Sequence, residues 1–185
     1  MLLSLSEIRD GIVNCSKCKL RTSCDRPVPG YGPPDAKIVV VGEAPGYYEE
    51  VQGKPFVGAS GKYLTTLFNS IGINRRDIYF ANSVNCRPPN NRDPMADESA
   101  ACRDWLDKQI EAIDPKIIIT VGRFSTKIFF SQGTITSLHG SSRFDGKRLY
   151  VAMYHPAAAM HNPSLKSAIE NDFLKLGDLI KDMNI

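Results

Sequence analysis

No stretch of this 185-residue chain is apolar for long enough to cross a bilayer, which takes roughly 20 consecutive apolar residues. The opening residues, Met1 to Asn14, lack the basic start, long apolar centre and small-residue cleavage site of a secretory signal. An intracellular, cytoplasmic protein with no membrane partner is therefore expected. Strong charge is missing too: a net charge of +3 permits nucleic-acid binding without arguing for it. Repeats, low-complexity tracts and dividing linkers are absent, so residues 1–185 read as one domain. Apolar residues at 42% and charged residues at 23% are ordinary for a globular chain. Cysteine is scarce and odd in number, at five. In a reducing compartment these are not expected to form structural disulfides, whereas a cysteine-ligated metal site with one residue left over suits the count.

Four short, mostly apolar runs have the pattern of strands covered on both faces: Lys37 to Val41, Asp77 to Asn82, Lys116 to Val121 and Arg148 to Met153. Helical patterns separate them. Ser60 to Ile71 places Tyr63, Leu64, Leu67, Phe68 and Ile71 on one face. Pro94 to Ile113 opens with Asp93-Pro94, a capping residue followed by proline at the first helical position. Asn162-Pro163 opens a last helix in the same way, and Arg123 to Phe130 is a shorter candidate. Alternating strands and helices imply an α/β fold with a central, mainly parallel four-stranded sheet and helices on both faces.

In such sheets, ligands bind beyond the carboxyl ends of the strands. Glu43 and its neighbours follow the first strand, Asn82 ends the second, Gly122-Arg123 follows the third, and Tyr154-His155-Pro156 follows the fourth. A carboxylate, an amide and an imidazole thus converge on one rim. Hydrolysis of an N-glycosidic bond to a pyrimidine needs a donor for the departing base, a readout of the base edge, a stacking platform and a carboxylate. His155, Asn82, Phe56 and Glu43 can supply them in that order. An amide suits uracil because it offers a donor and an acceptor side by side, and a base in DNA must be flipped out to reach such a pocket. Gly58-Ala59-Ser60-Gly61-Lys62 lacks the full phosphate-loop pattern and is not read as a nucleotide triphosphate site. Ser60 at a helix start could still hold a DNA phosphate through backbone N–H groups.

Cys15 and Cys18 form a C-x-x-C pair, with Cys86 and Cys102 distant. Two close and two distant thiolates can enclose a tetrahedral zinc or an iron–sulfur cluster, and spacing alone does not choose between them. Cys24 is the expected spectator.

Gly42-Glu43-Ala44-Pro45-Gly46, Gly53-Lys54-Pro55-Phe56-Val57-Gly58, the run from Asn82 to Arg92 and Tyr154-His155-Pro156-Ala157 stand in one order, with the cysteines in register. Together they resemble the family 4 uracil-DNA glycosylases, the thermostable iron–sulfur type of bacteria and archaea, over nearly the whole chain. The resemblance implies a three-layer αβα sandwich and a structural 4Fe–4S cluster on Cys15, Cys18, Cys86 and Cys102. It implies that Glu43 lies near the attacking water, with Gly42 and Ala44 beside it at the substrate. Phe56 would stack on uracil, Asn82 would bind its polar edge, and His155 would stabilise the leaving base. Glu49 would stand against uracil C5 and exclude the thymine methyl.

The chain departs from the family pattern in two places. Tyr47-Tyr48 precedes Glu49 where the family is more acidic, and the loop after His155 is alanine-rich, which leaves Met160 as the candidate wedge into DNA. No basic insertion lies between Asn82 and Cys102, so turnover is expected rather than a covalent trap. Family 5 relatives typically carry an apolar residue where this chain has Glu43. The expectation is a monomeric, monofunctional glycosylase acting on uracil in single- or double-stranded DNA. The rival readings are a catalytically silent binder of damaged or single-stranded DNA, and a zinc protein with an unrelated hydrolase site.

Overall fold

The computed structural model describes residues 3–183. In chain order the elements are α1 (Leu5–Val13), β1 (Ile38–Gly42), α2 (Tyr47–Gln52), α3 (Ala59–Ser70), β2 (Ile78–Asn82) and α4 (Ala96–Ile113). They continue with β3 (Ile117–Val121), α5 (Arg123–Phe129), α6 (Ile135–Leu138), β4 (Ser142–Phe144), β5 (Leu149–Met153), α7 (Ala157–His161) and α8 (Lys166–Asp182). None of these helices is long and apolar enough to cross a membrane.

Because side chains alternate across a strand, each central strand feeds two cores at once. Ile38, Val40, Ile78, Phe80, Ile117, Ile119 and Val151 face α3 and α8, which contribute Leu64, Phe68, Phe173 and Leu176. Val39, Val41, Tyr79, Ile118 and Tyr150 face the other way, toward Leu106, Ile110 and Ile113 of α4 and Ile128 of α5. Burial on both faces is why these strands read as unbroken apolar runs. The result is the three-layer αβα arrangement expected from the resemblance.

The sheet has five strands, in the order β2-β1-β3-β5-β4, rather than the four expected. The extra strand, β4, pairs antiparallel with β5 at the edge, and all three of its residues are exposed. An edge strand with no buried face carries no apolar pattern to read. Helix α4 begins at Ala96, two residues later than the Asp93-Pro94 signal suggested. Asp93 does not cap it but pairs with Arg123, and the buried Glu98 carboxylate instead takes the Met95 backbone N–H (2.7 Å). At the other end Asn162 does accept a local bond from Ser164, but it opens a 3-10 turn over Pro163–Leu165 that leads into α8.

β1 has β2 on one side and β3 on the other. The connection from β1 to β2 runs through α3 on one face of the sheet, and that from β2 to β3 runs through α4 on the opposite face. The chain therefore reverses direction across the sheet at the carboxyl ends of β1 and β3, where open α/β sheets leave a crevice.

Candidate active site

A cleft of about 640 Å³ opens at that point. Glu43, Ala44, Glu49, Phe56, Ser60, Asn82 and His155 all line it, so residues that lie far apart in sequence meet in one place. Gly42 lies directly beneath. A Cβ at Gly42 would sit 2.5 Å from both Asn82 Oδ1 and the Phe56 ring, so a side chain here would displace the amide and the ring. Met160 is not in the lining; it stands on α7 beside the cleft, 53% exposed.

The strand ends hold these groups in register. Ser83 N–H donates to Gly42 O (2.9 Å) and Val84 N–H to Glu43 O (3.1 Å), which extends the β1–β2 pairing past Glu43. Asn82 is 4% exposed, yet its side-chain amide makes no hydrogen bond within the described residues. Its polar atoms open on the cleft rather than being sealed in the core, so the amide is free to meet a ligand there. Phe56 carries a second anomaly: its φ is +55°, a left-handed conformation that a bulky side chain rarely adopts. The surroundings enforce it. Arg75 donates to Pro55 O (2.8 Å) and stacks over Phe80, and Phe80 in turn packs against the Phe56 ring. Gly61 of α3 approaches so closely that a Cβ there would lie 2.1 Å from Phe56 O. Strain that the surroundings enforce is characteristic of ligand sites.

His155 is wedged beside Gly122, whose φ is +98° and whose missing Cβ would lie 3.2 Å from that of His155. The Ala157 backbone N–H donates to His155 Nδ1 (3.2 Å). Burial pushes the imidazole pKa down to about 4, against a smaller opposing pull from Glu49. The ring is therefore neutral at neutral pH, and with Nδ1 accepting, the proton sits on Nε2. Burial also pushes Glu43 up to about 7, helped by Asp93 and opposed by Arg123. Glu49 is buried at the start of α2, and its Oε1 accepts the Gly58 N–H (2.9 Å).

Asp93, Arg123 and Tyr154 belong to the lining as well. Asp93, expected as a helix cap, instead meets Arg123, a pairing that no local sequence pattern signals. Among the described residues, no lysine lines the cleft.

On the other side of the Cys86 loop, Cys15, Cys18, Cys86 and Cys102 line one small cavity, and Cys24 does not. Trp105 Nε1–H and the Lys17 backbone N–H both donate to Cys15 Sγ (3.3 and 3.5 Å), and Asn85 Nδ2–H reaches Cys102 Sγ (3.6 Å). Asn85 Oδ1 is buried there without a partner. Among the described residues, no three His, Cys, Asp or Glu side chains close around a single-ion position.

Residues 29–175 match the model of the uracil DNA glycosylase superfamily. The type-4 uracil-DNA glycosylase of Sulfurisphaera tokodaii is 47% identical over 95% of this chain and 84% of its own length. That of Archaeoglobus fulgidus is 44% identical over 95% and 93%, and that of Saccharolobus solfataricus is 43% identical over 98% and 89%. By these similarities, which its fold matches, the chain belongs to the type-4 branch of the uracil-DNA glycosylase superfamily.

Proposed function

We propose that this chain is a monofunctional uracil-DNA glycosylase of base excision repair. It takes a flipped uracil into the cleft, hydrolyses the bond between base and sugar, and leaves an abasic site. The observation that carries this reading is the Asn82 amide, which faces a cleft shared with Glu43 and a neutral His155 and has no protein partner among the described residues. A ligand presenting an adjacent acceptor and donor, as uracil does at O4 and N3–H, satisfies that amide.

The chemistry follows from the chain's own groups. Phe56 stacks on the base. As the N1–C1′ bond breaks, its electron pair leaves with uracil, and His155 Nε2–H donates to the developing negative charge on O2. A neutral imidazole suits this role, because it donates without a competing proton transfer to solvent. Water attacks C1′ and gives its proton to the Glu43 carboxylate, which also offsets the cationic sugar. Glu49, fixed by Gly58 N–H, stands against C5 and leaves no room for the thymine methyl. A fixed wall discriminates better than apolar contact, which rewards one methyl only weakly. With no lysine in the lining, no Schiff base forms and no lyase step follows. Backbone N–H groups at Ser60 take a DNA phosphate, and Met160 supports the opened stack.

Cys15, Cys18, Cys86 and Cys102 would hold a 4Fe–4S cluster. Their shared cavity and the N–H donors aimed at sulfur suit a cluster, whose sulfurs are tuned by such hydrogen bonds. Bound there, the cluster supplies cross-linking of the N-terminal segment to the Cys86 loop and α4. Uracil-containing DNA is the partner, engaged by a single-domain monomer.

The test is alkaline cleavage of an end-labelled single-stranded oligonucleotide carrying one uracil, after incubation with the iron-loaded protein, beside a thymine control. Cleavage of the uracil strand alone supports the reading. Tight binding of uracil-DNA without cleavage would replace it with a silent binder.

A further inference from the structure

Beside the cleft, a pair of polar side chains that the chemistry above does not use, one buried and one half-buried, packs against the segment carrying His155. Asp172 of α8 is 3% exposed, and its Oδ2 lies 2.7 Å from Nδ1 of His139, at the end of α6. The His139 ring stacks on Tyr154, with centroids 4.4 Å apart and planes 26° from parallel. Tyr154 lines the cleft and immediately precedes His155. Gly140, with φ at +71°, leaves the space that Asp172 fills, since a Cβ there would meet the carboxylate at 2.3 Å. Gly140 N–H donates to Ala152 O (2.8 Å), and Ala152 N–H donates to Ser141 O (3.0 Å), which fastens the same loop to the end of β5.

We propose that Asp172 and His139 are positioning residues for catalysis: through the Tyr154 ring they fix the orientation of the His155 imidazole. This rests on the leaving-base role assigned to His155. A carboxylate on Nδ1 fixes both the ring plane and the tautomer of His139, and the stacked ring leaves Tyr154 one position. The next residue is then held between Tyr154, Gly122 and the Ala157 N–H. A donor acting on a developing charge tolerates little displacement, because misplacement by about 1 Å can cost up to roughly 10²-fold in rate. A buried Asp172 carboxylate spent only on closing a loop would cost desolvation that an apolar side chain would not.

The test compares single-turnover excision of uracil and of 5-fluorouracil from the same oligonucleotide by wild type, His155→Ala, His139→Ala, His139→Phe and Asp172→Asn. Fluorine withdraws electron density, so 5-fluorouracil leaves more readily and depends less on His155. The fluorouracil-to-uracil rate ratio is taken within one preparation, so the folded fraction cancels. The proposal expects His155→Ala to raise this ratio by about tenfold or more. It expects His139→Ala to raise the ratio in the same direction by roughly threefold or more, and His139→Phe and Asp172→Asn, which keep a stacked ring or a hydrogen-bond acceptor, to fall between His139→Ala and wild type. A raised ratio in His155→Ala with wild-type ratios in all three other variants would overturn the positioning role alone. An unchanged ratio in His155→Ala would overturn the role of His155, and the positioning proposal with it.

Discussion

Two cavities of this chain are built on opposite principles. The cleft beyond β1 and β3 is open, and the fold leaves work undone there: the Asn82 amide has no partner among the described residues, Phe56 is strained, and Glu43 and His155 are held away from their ordinary ionisation. The cysteine cavity is small, and three N–H groups already point at its sulfurs. The Cys86 loop joins them. It continues through Arg87, which pairs with Glu50 (3.3 Å), and Arg92, which grips the buried Glu98 with two bonds (2.8 and 2.7 Å), into the Asn91–Asp93 wall of the cleft.

That contrast predicts separable defects. His155→Ala should slow uracil excision by roughly 10²–10³-fold while the iron content and melting temperature stay close to wild type. Cys86→Ala or Cys102→Ala should do the reverse, losing iron and lowering the melting temperature by about 10 °C or more. Full iron with an unchanged melting point in either cysteine variant would remove the structural role of the cluster.

The pH dependence sharpens the account of the cleft. Glu43 works as a carboxylate, so excision should rise about tenfold per pH unit up to its pKa of about 7 and then level off. His155, neutral above about 4, adds no limb to the profile between pH 5 and 8. Glu43→Gln should lose most of the rate together with the limb. Its stability should shift the other way. A carboxyl whose pKa is raised on folding favours the folded state below its ordinary pKa, and that gain is lost as pH climbs through about 7. Glu43→Gln should therefore stabilise the protein more at pH 8 than at pH 5, as melting curves at both values would show. The smallest effect is expected at Cys24, which lies among the cluster residues but outside their cavity. Cys24→Ala should keep its full iron; a loss of iron would make it a ligand.

Much of this was legible in the sequence because burial writes a pattern. The four central strands are buried on both faces and read as apolar runs, and polar residues set at their ends stood out as Glu43, Asn82 and His155. β4 was not legible, since Ser142, Arg143 and Phe144 are all exposed. Asp93 looked like a cap because local sequence cannot show that Arg123, 30 residues on, pairs with it. The stack of His139 on Tyr154 and the contact of His139 with Asp172 were hidden for the same reason: each is a long-range meeting of residues with no shared local pattern. The strain at Phe56 comes from Gly61 and Arg75 closing on it, which no propensity reports.

The central claim is that the cleft is shaped for a base and not for the fold, and Asn82→Ala tests it most directly. Single-turnover excision and thermal melting are measured on the same iron-loaded sample. The account predicts a rate lower by roughly 10²-fold with a melting temperature close to wild type, because the lost amide faces the cleft and makes no hydrogen bond among the described residues. A near-normal rate, or a melting temperature that falls by about 5 °C or more, would contradict it.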